Sequence, residues 1–269
     1  MRRADLDQLA SIARDAGRGI LQNYESDFRV EYKSPGDPVT DADRQANTLI
    51  CSRLAAEFPG AAIVAEESAS ELYAGYRSEP RVFFVDPLDG TREYVAKNGQ
   101  FVVMIGLLVD DVPSLGVVYQ PTTGTLWCGA RGVGAWRVDA DGTEREIRVG
   151  AVEQPEEARV TVSRSRRSEH LKNVLKQIGA RQVIPMGSAG LKGALVAEGN
   201  ADAYLSLGVS GKYWDACAMD AIVSAAGGRV SDARGVALDY RSGELELSHG
   251  VLASNPVLHA ALERRLQSA

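Results

Sequence analysis

The sequence predicts an antiparallel α+β half joined to an α/β half, and three observations point that way. Residues 101–149 hold five apolar segments separated by short turns, the spacing of an antiparallel meander. Beyond residue 157 strand-like and helix-like segments alternate, as they do in α/β folds. Two segments with helical apolar periodicity come before the first buried strands. The change of rhythm divides the chain into an N-terminal half at 1–154 and a C-terminal half at 155–269, with Pro155-Glu156-Glu157 as the linker.

In chain order, Leu6, Leu9, Ala10, Ala13, Ala16, Ile20 and Leu21 form one stripe of a helix over 4–24. The polar segment Lys33-Ser34-Pro35-Gly36-Asp37-Pro38 breaks that pattern and is expected to be a mobile loop, placed to act as a lid. A second helix is expected from Val39–Asp43, with Ala46, Leu49, Ile50 and Leu54 on its apolar side and Pro59-Gly60 as its stop. Ala62–Ala65 reads as a short buried strand ending in Glu66-Glu67, and 68–80 as a loop with some helix. The meander strands are placed at Phe101–Val109, Ser114–Gln120, Thr125–Ala130, Ala135–Val138 and Glu146–Val149. After the linker come strand 158–163, helix 168–178, strand 182–185, helix 189–198, strand 202–207, helix 214–226, strand 229–232, Val251–Ser254 and a helix from Pro256.

At 269 residues the chain is long enough for one large domain or two that share a core. An apolar fraction of 45% and a charged fraction of 25% are those of a soluble enzyme. The net charge of −6 argues against a nucleic-acid polymer as partner. It leaves room for a small anionic ligand, because bound cations invert a local field. Cys51, Cys128 and Cys217 are far apart and form no CxxC pair, which suits buried thiols in a reducing compartment. No apolar run reaches membrane-spanning length and no signal-peptide core follows Met1, so the cytoplasm is the expected location. Oligomeric state is left between monomer and homodimer.

Chemistry concentrates at Asp86-Pro87-Leu88-Asp89-Gly90-Thr91, where the apolar run Val82–Val85 ends in two carboxylates. Pro87 fixes φ, and Gly90 permits a conformation or an approach that a Cβ would block. Asp86, Asp89 and the Leu88 carbonyl would together give the oxygen-rich surround that Mg²⁺ prefers. The same six residues also suit an Asx-type turn after a strand. Further acids lie at a strand end or a helix start: Asp43, Glu66 and Asp215, the last in Trp214-Asp215-Ala216-Cys217-Ala218. Gathered together without cations they would repel strongly. Singly, Asp43 and Asp215 read equally as helix caps, and Lys192 as a surface residue early in a helix. His170, His249 and His259 show no ligand spacing.

The order of these elements resembles the magnesium-dependent, lithium-sensitive phosphatases that include inositol monophosphatase, fructose-1,6-bisphosphatase and 3′(2′),5′-bisphosphate nucleotidase. Their signature is an early aspartate, Glu-Glu, Asp-Pro-Leu/Ile-Asp-Gly-Thr and a late Trp-Asp, matched here by Asp43, Glu66-Glu67, Asp86–Thr91 and Trp214-Asp215. The resemblance runs over nearly the whole chain and implies a layered αβαβα sandwich. Glu66, Asp86, the Leu88 carbonyl, Asp89 and Asp215 are thereby assigned to two or three Mg²⁺ ions, and Thr91 with Asp43 to activating a water. Gly90, Thr91, Asp215, Ser188, Lys192 and Arg166 are assigned to a small phosphorylated substrate.

Within the family the chain is similar to the nucleotidase branch, called CysQ in bacteria. The likeness lies in Asp89–Tyr94, Asn98-Gly99-Gln100-Phe101, Val162-Ser163-Arg164-Ser165, Leu195–Gly199 and Lys212–Asp215. It implies removal of the 3′-phosphate from 3′-phosphoadenosine 5′-phosphate. Two positions depart from that branch: Arg166 stands where histidine is usual, and Ser206 where several members carry arginine. Hydrolysis of inositol monophosphate or a sugar bisphosphate is the nearest rival. A non-catalytic metabolite-binding protein of the same fold is the next, and it is disfavoured because every signature carboxylate is present. A short Ca²⁺-binding loop does not fit acids scattered along the chain.

Overall fold

The apolar stripe at the N-terminus folds as helix α1 (Arg3–Tyr24), which buries Leu6, Leu9, Ile12, Ala13, Ala16 and Ile20. A computed structural model describes residues 3–26, 29–34, 37–165, 168–242 and 244–267. Where a mobile loop is expected at 33–38, strands β1 (Val30–Ser34) and β2 (Asp37–Thr40) pair as an antiparallel hairpin. Residues 35–36 at its tip lie outside the described residues. The alternation Val30-Glu31-Tyr32-Lys33 is the signal for it, masked by Pro38 and by a strand exposed on both faces. Helix α2 (Asp41–Glu57) follows at once, with Thr40 as its cap and Asp43 closing a capping box.

Strands β3 (Ala62–Ala65), β4 (Arg81–Asp89), β5 (Val102–Val109), β6 (Val112–Gln120), β7 (Thr125–Ala130), β8 (Gly134–Val138) and β9 (Glu144–Glu146) form one sheet in sequence order. Helix α3 (Thr91–Val95) interrupts the run between β4 and β5. β3 and β4 are parallel, and every later pair is antiparallel. The last strand lies at 144–146, ahead of the expected 146–149. Glu144 to Glu146 pair with Val138 to Trp136, whereas the Val149 amide bonds to Ala226 O.

The second sheet comprises β10 (Arg159–Ser163), β11 (Gln182–Met186), β12 (Ala203–Ser206), β13 (Arg229–Ser231) and β14 (Val251–Ser254), in the order β11-β10-β12-β14-β13. β10 runs parallel to both β11 and β12, and the remaining pairs are antiparallel. Its helices are α4 (Glu169–Ile178), α5 (Ala189–Ala197), α6 (Cys217–Ala225) and α7 (Pro256–Gln267). The single helix expected at 214–226 is a 3-10 turn at Tyr213–Asp215 followed by α6.

Successive residues of β4 explain the layering. Phe83 and Val85 join the core with α1 and α2, while Val82 and Phe84 join the core containing α5 and α6. Leucines and isoleucines of α4 and α7 close a third core against β10, β12 and β14. The result is a helix–sheet–helix–sheet–helix sandwich.

One detail fixes how closely the middle helices approach. Gly106, Gly116 and Gly129 lie in register on β5, β6 and β7, and α6 rests on that row. A Cβ at Gly106 would stand 2.5 Å from the Ala218 amide, one at Gly129 would be 2.8 Å from Ile222 Cα, and one at Gly116 would collide with the Ala218 carbonyl. The bare row lets α6 and the turn before it sink onto the sheet.

Candidate active site

Topology gathers the acidic residues at strand ends. β3 and β4 are parallel with Ala65 opposite Val85, so Glu66, just past the end of β3, comes beside Asp86 of β4. In a regular strand Asp86 and Asp89, three apart, would face opposite sides. A bulge between them, where three steps on β4 answer two on β5, turns both to one side. Gly90 follows at φ +100°, and a Cβ there would lie 2.9 Å from Gln100 O. Asp215 comes from a distant part of the chain, on the turn that leads into α6.

Carboxylate oxygens of Asp86, Asp89 and Asp215 lie within 4.8 Å of one another. Leu88 N–H donates to Asp86 at 2.9 Å, Lys212 N–H donates to Asp215 at 2.6 Å, and Gly190 N–H donates to Asp89 at 2.8 Å. The Ser188 hydroxyl donates to Asp89 at 2.5 Å and accepts from Leu191 N at 3.1 Å. Ser188 itself is held at φ +51°, a left-handed conformation that non-glycine residues seldom adopt. Gly211 abuts the Asp215 carboxylate so tightly that no Cβ would fit there.

The electrostatics are those of an acid cluster out of water. Burial, then Glu66, Asp89 and Asp215, push the Asp86 carboxyl well above the usual carboxylate range. Burial, then Asp89 and Glu66, raise Asp215 to about 7. Like charges in a low-dielectric site disfavour ionisation, and a divalent cation removes the penalty. The donor set, all carboxylate and carbonyl oxygen without sulfur or imidazole, suits a hard cation.

Beside the cluster, Thr91 Oγ1 donates to Asp43 Oδ1 at 3.2 Å and lies 3.3 Å from the Leu88 carbonyl. Asp43 is 2% exposed and accepts from the Thr40 amide at 2.8 Å and the Thr40 hydroxyl at 2.6 Å. Burial raises its carboxyl, and the Thr40 donors work against that shift. The helix-cap reading of Asp43 therefore holds, and its second oxygen is free to face Thr91.

A cleft of about 420 Å³ opens over these residues. The parallel strands β10, β11 and β12 all end on it, contributing Ser163, Gly187 and Ser206. Glu66, Asp86, Leu88, Asp89, Gly90, Thr91, Ser188, Lys192 and Asp215 line it as well. Lys192 is buried, at 4% exposed, with its ammonium donating to Ser188 O at 2.5 Å and lying 5.1 Å from the Tyr204 ring centre. The surface reading of Lys192 is thereby corrected. The Ser206 hydroxyl accepts from Val251 N at 2.9 Å and so ties β12 to β14. Arg166 lies outside the described residues.

Two participants escaped the sequence reading. Lys33 of the hairpin pairs with Glu66 at 3.0 Å and with Glu67. Gln100 accepts from the Gly187 amide at 2.8 Å and from Arg164 Nε at 3.1 Å. No local pattern marks Lys33, since its partners are set by how the hairpin folds back. Gln100 lay within a motif already singled out, but without a role.

Comparison with known proteins places this geometry. The model of the inositol monophosphatase family matches residues 3–269. The 3′(2′),5′-bisphosphate nucleotidase CysQ of Escherichia coli (strain K12) is 37% identical over 251 residues, covering 93% of this chain and 99% of that protein. Among solved structures, the extragenic suppressor protein suhB from Bartonella henselae superposes with a TM-score of 0.83 at 27% identity, over 99% of both chains. CysQ from Bacteroides thetaiotaomicron gives 0.78 at 28% identity, over 93% of this chain and 97% of that one. Fold, acidic strand ends and sequence agree: the chain belongs to the inositol monophosphatase family.

Proposed function

We propose that the chain is a Mg²⁺-dependent phosphomonoesterase that removes the 3′-phosphate of 3′-phosphoadenosine 5′-phosphate, leaving AMP and phosphate. The observation that carries the reaction class is the buried trio Asp86, Asp89 and Asp215 beside the Thr91–Asp43 pair. The substrate rests on the 37% identity to a relative named for that nucleotidase activity.

Glu66, Asp86, the Leu88 carbonyl, Asp89 and Asp215 would hold two or three ions. When bound, Mg²⁺ acidifies water and offsets negative charge on the phosphoryl group. The chain's own residues supply position and proton transfer. Thr91 gives its proton to Asp43, so its oxygen is oriented to accept one from an attacking water. Asp43 is suited to receive that charge, since burial makes it a stronger base than an ordinary carboxylate. Backbone amides at Gly90 and Thr91 would grip the phosphate, leaving little covalent work to the protein.

Ser188 acts by aiming Asp89, because its hydroxyl is already engaged at both ends. Lys192 adds positive charge beneath the cleft, and Arg166 is assigned to the substrate's periphery. The hairpin residue Lys33 neutralises Glu66 and Glu67 from the outer side.

The deciding experiment is phosphate release from 3′-phosphoadenosine 5′-phosphate, inositol 1-phosphate and fructose 1,6-bisphosphate, each with and without Mg²⁺. Preference for the adenosine compound, dependence on Mg²⁺ and inhibition by millimolar lithium are expected. Preference for inositol 1-phosphate would reassign the substrate, and turnover unaffected by chelation would remove the metal from the reaction.

A further inference from the structure

Among the described residues five carboxylates line the cleft: Glu66, Asp86, Asp89, Asp215 and Glu93. The first four are taken up by the metal assignment, and Glu93 has no part in it. Glu93 is the third residue of α3, two beyond Thr91, and is only 6% exposed. It stands outside the group of Asp86, Asp89 and Asp215, whose oxygens are close enough to share an ion. A carboxylate this far out of water is costly unless its oxygens find donors.

Asn98 supplies one of them. Its side-chain amide donates to Glu93 Oε2, its backbone amide donates to the Glu93 carbonyl at 3.2 Å, and its Oδ1 accepts from Gln100 N at 3.0 Å. Gly187 lies against the Glu93 stem, where a Cβ would come 2.5 Å from Cγ. The side chain is therefore held by two segments, the loop entering β5 and the loop entering α5. What they leave over is Oε1. Among the described residues it has no hydrogen-bond donor, and no cation pairs with Glu93, although Arg92, Lys192 and Lys212 line the same cleft. Asn98 is a neutral donor, so it fixes the carboxylate without cancelling its charge.

An acceptor-only group of fixed orientation takes a neutral donor and repels a phosphate. The Glu93 amide donates to Gly90 O at 2.9 Å, so Glu93 belongs to the same turn as the amides assigned to the reacting phosphate. The donor it meets is then on the sugar carbon next to the scissile ester. In 3′-phosphoadenosine 5′-phosphate that donor is the 2′-hydroxyl. We propose that Glu93, aimed by Asn98, accepts a hydrogen bond from the hydroxyl vicinal to the scissile phosphate and so selects ribose over 2′-deoxyribose substrates. The inference rests on the nucleotidase reading above. Glu93 is then a specificity residue that touches substrate, and Asn98 a positioning residue that acts through it. With a deoxy sugar in place the carboxylate oxygen is covered and left without a donor, which a site built for a hydroxyl penalises steeply.

The test measures kcat/KM for wild type, Glu93→Leu, Glu93→Gln and Asn98→Ala on three compounds. These are 3′-phosphoadenosine 5′-phosphate, its 2′-deoxy analogue, and 3′-phosphoinosine 5′-phosphate, in which a carbonyl replaces the base amine. The readout is the ratio between substrates within one protein, so a general loss of activity or stability cancels. Wild type should favour the ribose over the deoxyribose compound by about tenfold to a hundredfold, as expected for a hydrogen bond to a charged group. Glu93→Leu should bring that ratio close to unity. Glu93→Gln, which keeps an acceptor without the charge, should retain part of it, and Asn98→Ala should lower it by less than Glu93→Leu. The ratio of adenosine to inosine compound should be the same in all four proteins. Equal rates on both sugars in wild type, or a ribose preference that Glu93→Leu leaves intact, would overturn the role while leaving the nucleotidase reading standing. A Glu93→Leu effect confined to the adenosine-to-inosine ratio would place the carboxylate against the base and overturn it as well. A wild type that hydrolyses inositol 1-phosphate but none of the nucleotides would overturn both.

Discussion

Asp43 serves two purposes, and each of its oxygens has one. Oδ2 closes the capping box with Thr40, and Oδ1 takes the Thr91 hydroxyl. Thr91→Ala removes the proton relay and leaves the carboxylate trio untouched. Its kcat should fall by roughly 10²–10⁴, the usual worth of positioned proton transfer. Calorimetry with Mn²⁺ as a probe should find metal binding unchanged; a matching loss of metal affinity would show that Thr91 acts as a ligand instead. Asp43→Asn should lose activity to a similar extent. It should also cost stability, because the amide cannot accept both Thr40 donors and the Thr91 hydroxyl equally well. At this scale the sequence was most informative where function confines several residues to one turn, as in Asp86–Thr91. It was least informative for Ser188 and Lys192, whose burial and partners depend on packing between distant segments.

Secondary-structure elements carry the site through two local irregularities, the β4 bulge and the glycine row beneath α6. Gly116→Val should lift α6 from the sheet, destabilising the fold by about 1–3 kcal/mol as overpacking does. Because α6 begins just after Asp215, the same substitution should weaken metal binding in proportion. Urea unfolding paired with Mn²⁺ titration would test both effects. Gly19→Ala is the control, since a Cβ at Gly19 meets nothing within 4 Å. Alanine in that helical position should raise stability by up to about 1 kcal/mol. A destabilised Gly19→Ala, or a Gly116→Val protein as stable as wild type, would contradict the packing assigned here. Most buried strands were legible from their apolar runs, because both faces of the central sheet are covered. The β1–β2 hairpin was not, since β1 is exposed along nearly its whole length and has no buried face to impose a clean alternation. The glycine row was invisible too: three glycines become a track only once their strands are in register.

Across the whole molecule the acid cluster spans two elements, with two carboxylates on the central sheet and one on the turn entering α6. Without metal, folding forces these groups to keep protons that the unfolded chain has lost. Each raised carboxyl therefore makes stability fall as pH rises from the ordinary carboxylate range near 4 toward about 7, where Asp215 titrates. His259 works in the opposite sense. Fully buried against Ser231 and pushed down to about 4 from 6.5, it removes stability as pH falls through that window. His259 lies on α7, against β13, and its contribution should be the same with or without metal. The difference between metal-loaded and chelated protein therefore isolates the cluster. That difference in melting temperature should widen from about pH 5 to about pH 8, because ions replace protons that are held only at the lower pH. Asp86→Asn removes one buried charge. It should raise the melting temperature of the chelated protein at the higher pH, shrink the metal-induced gap, and abolish Mg²⁺-dependent phosphate release. A gap that stays constant with pH, or one equally large in Asp86→Asn, would mean that metal stabilises the fold from somewhere other than these three carboxylates.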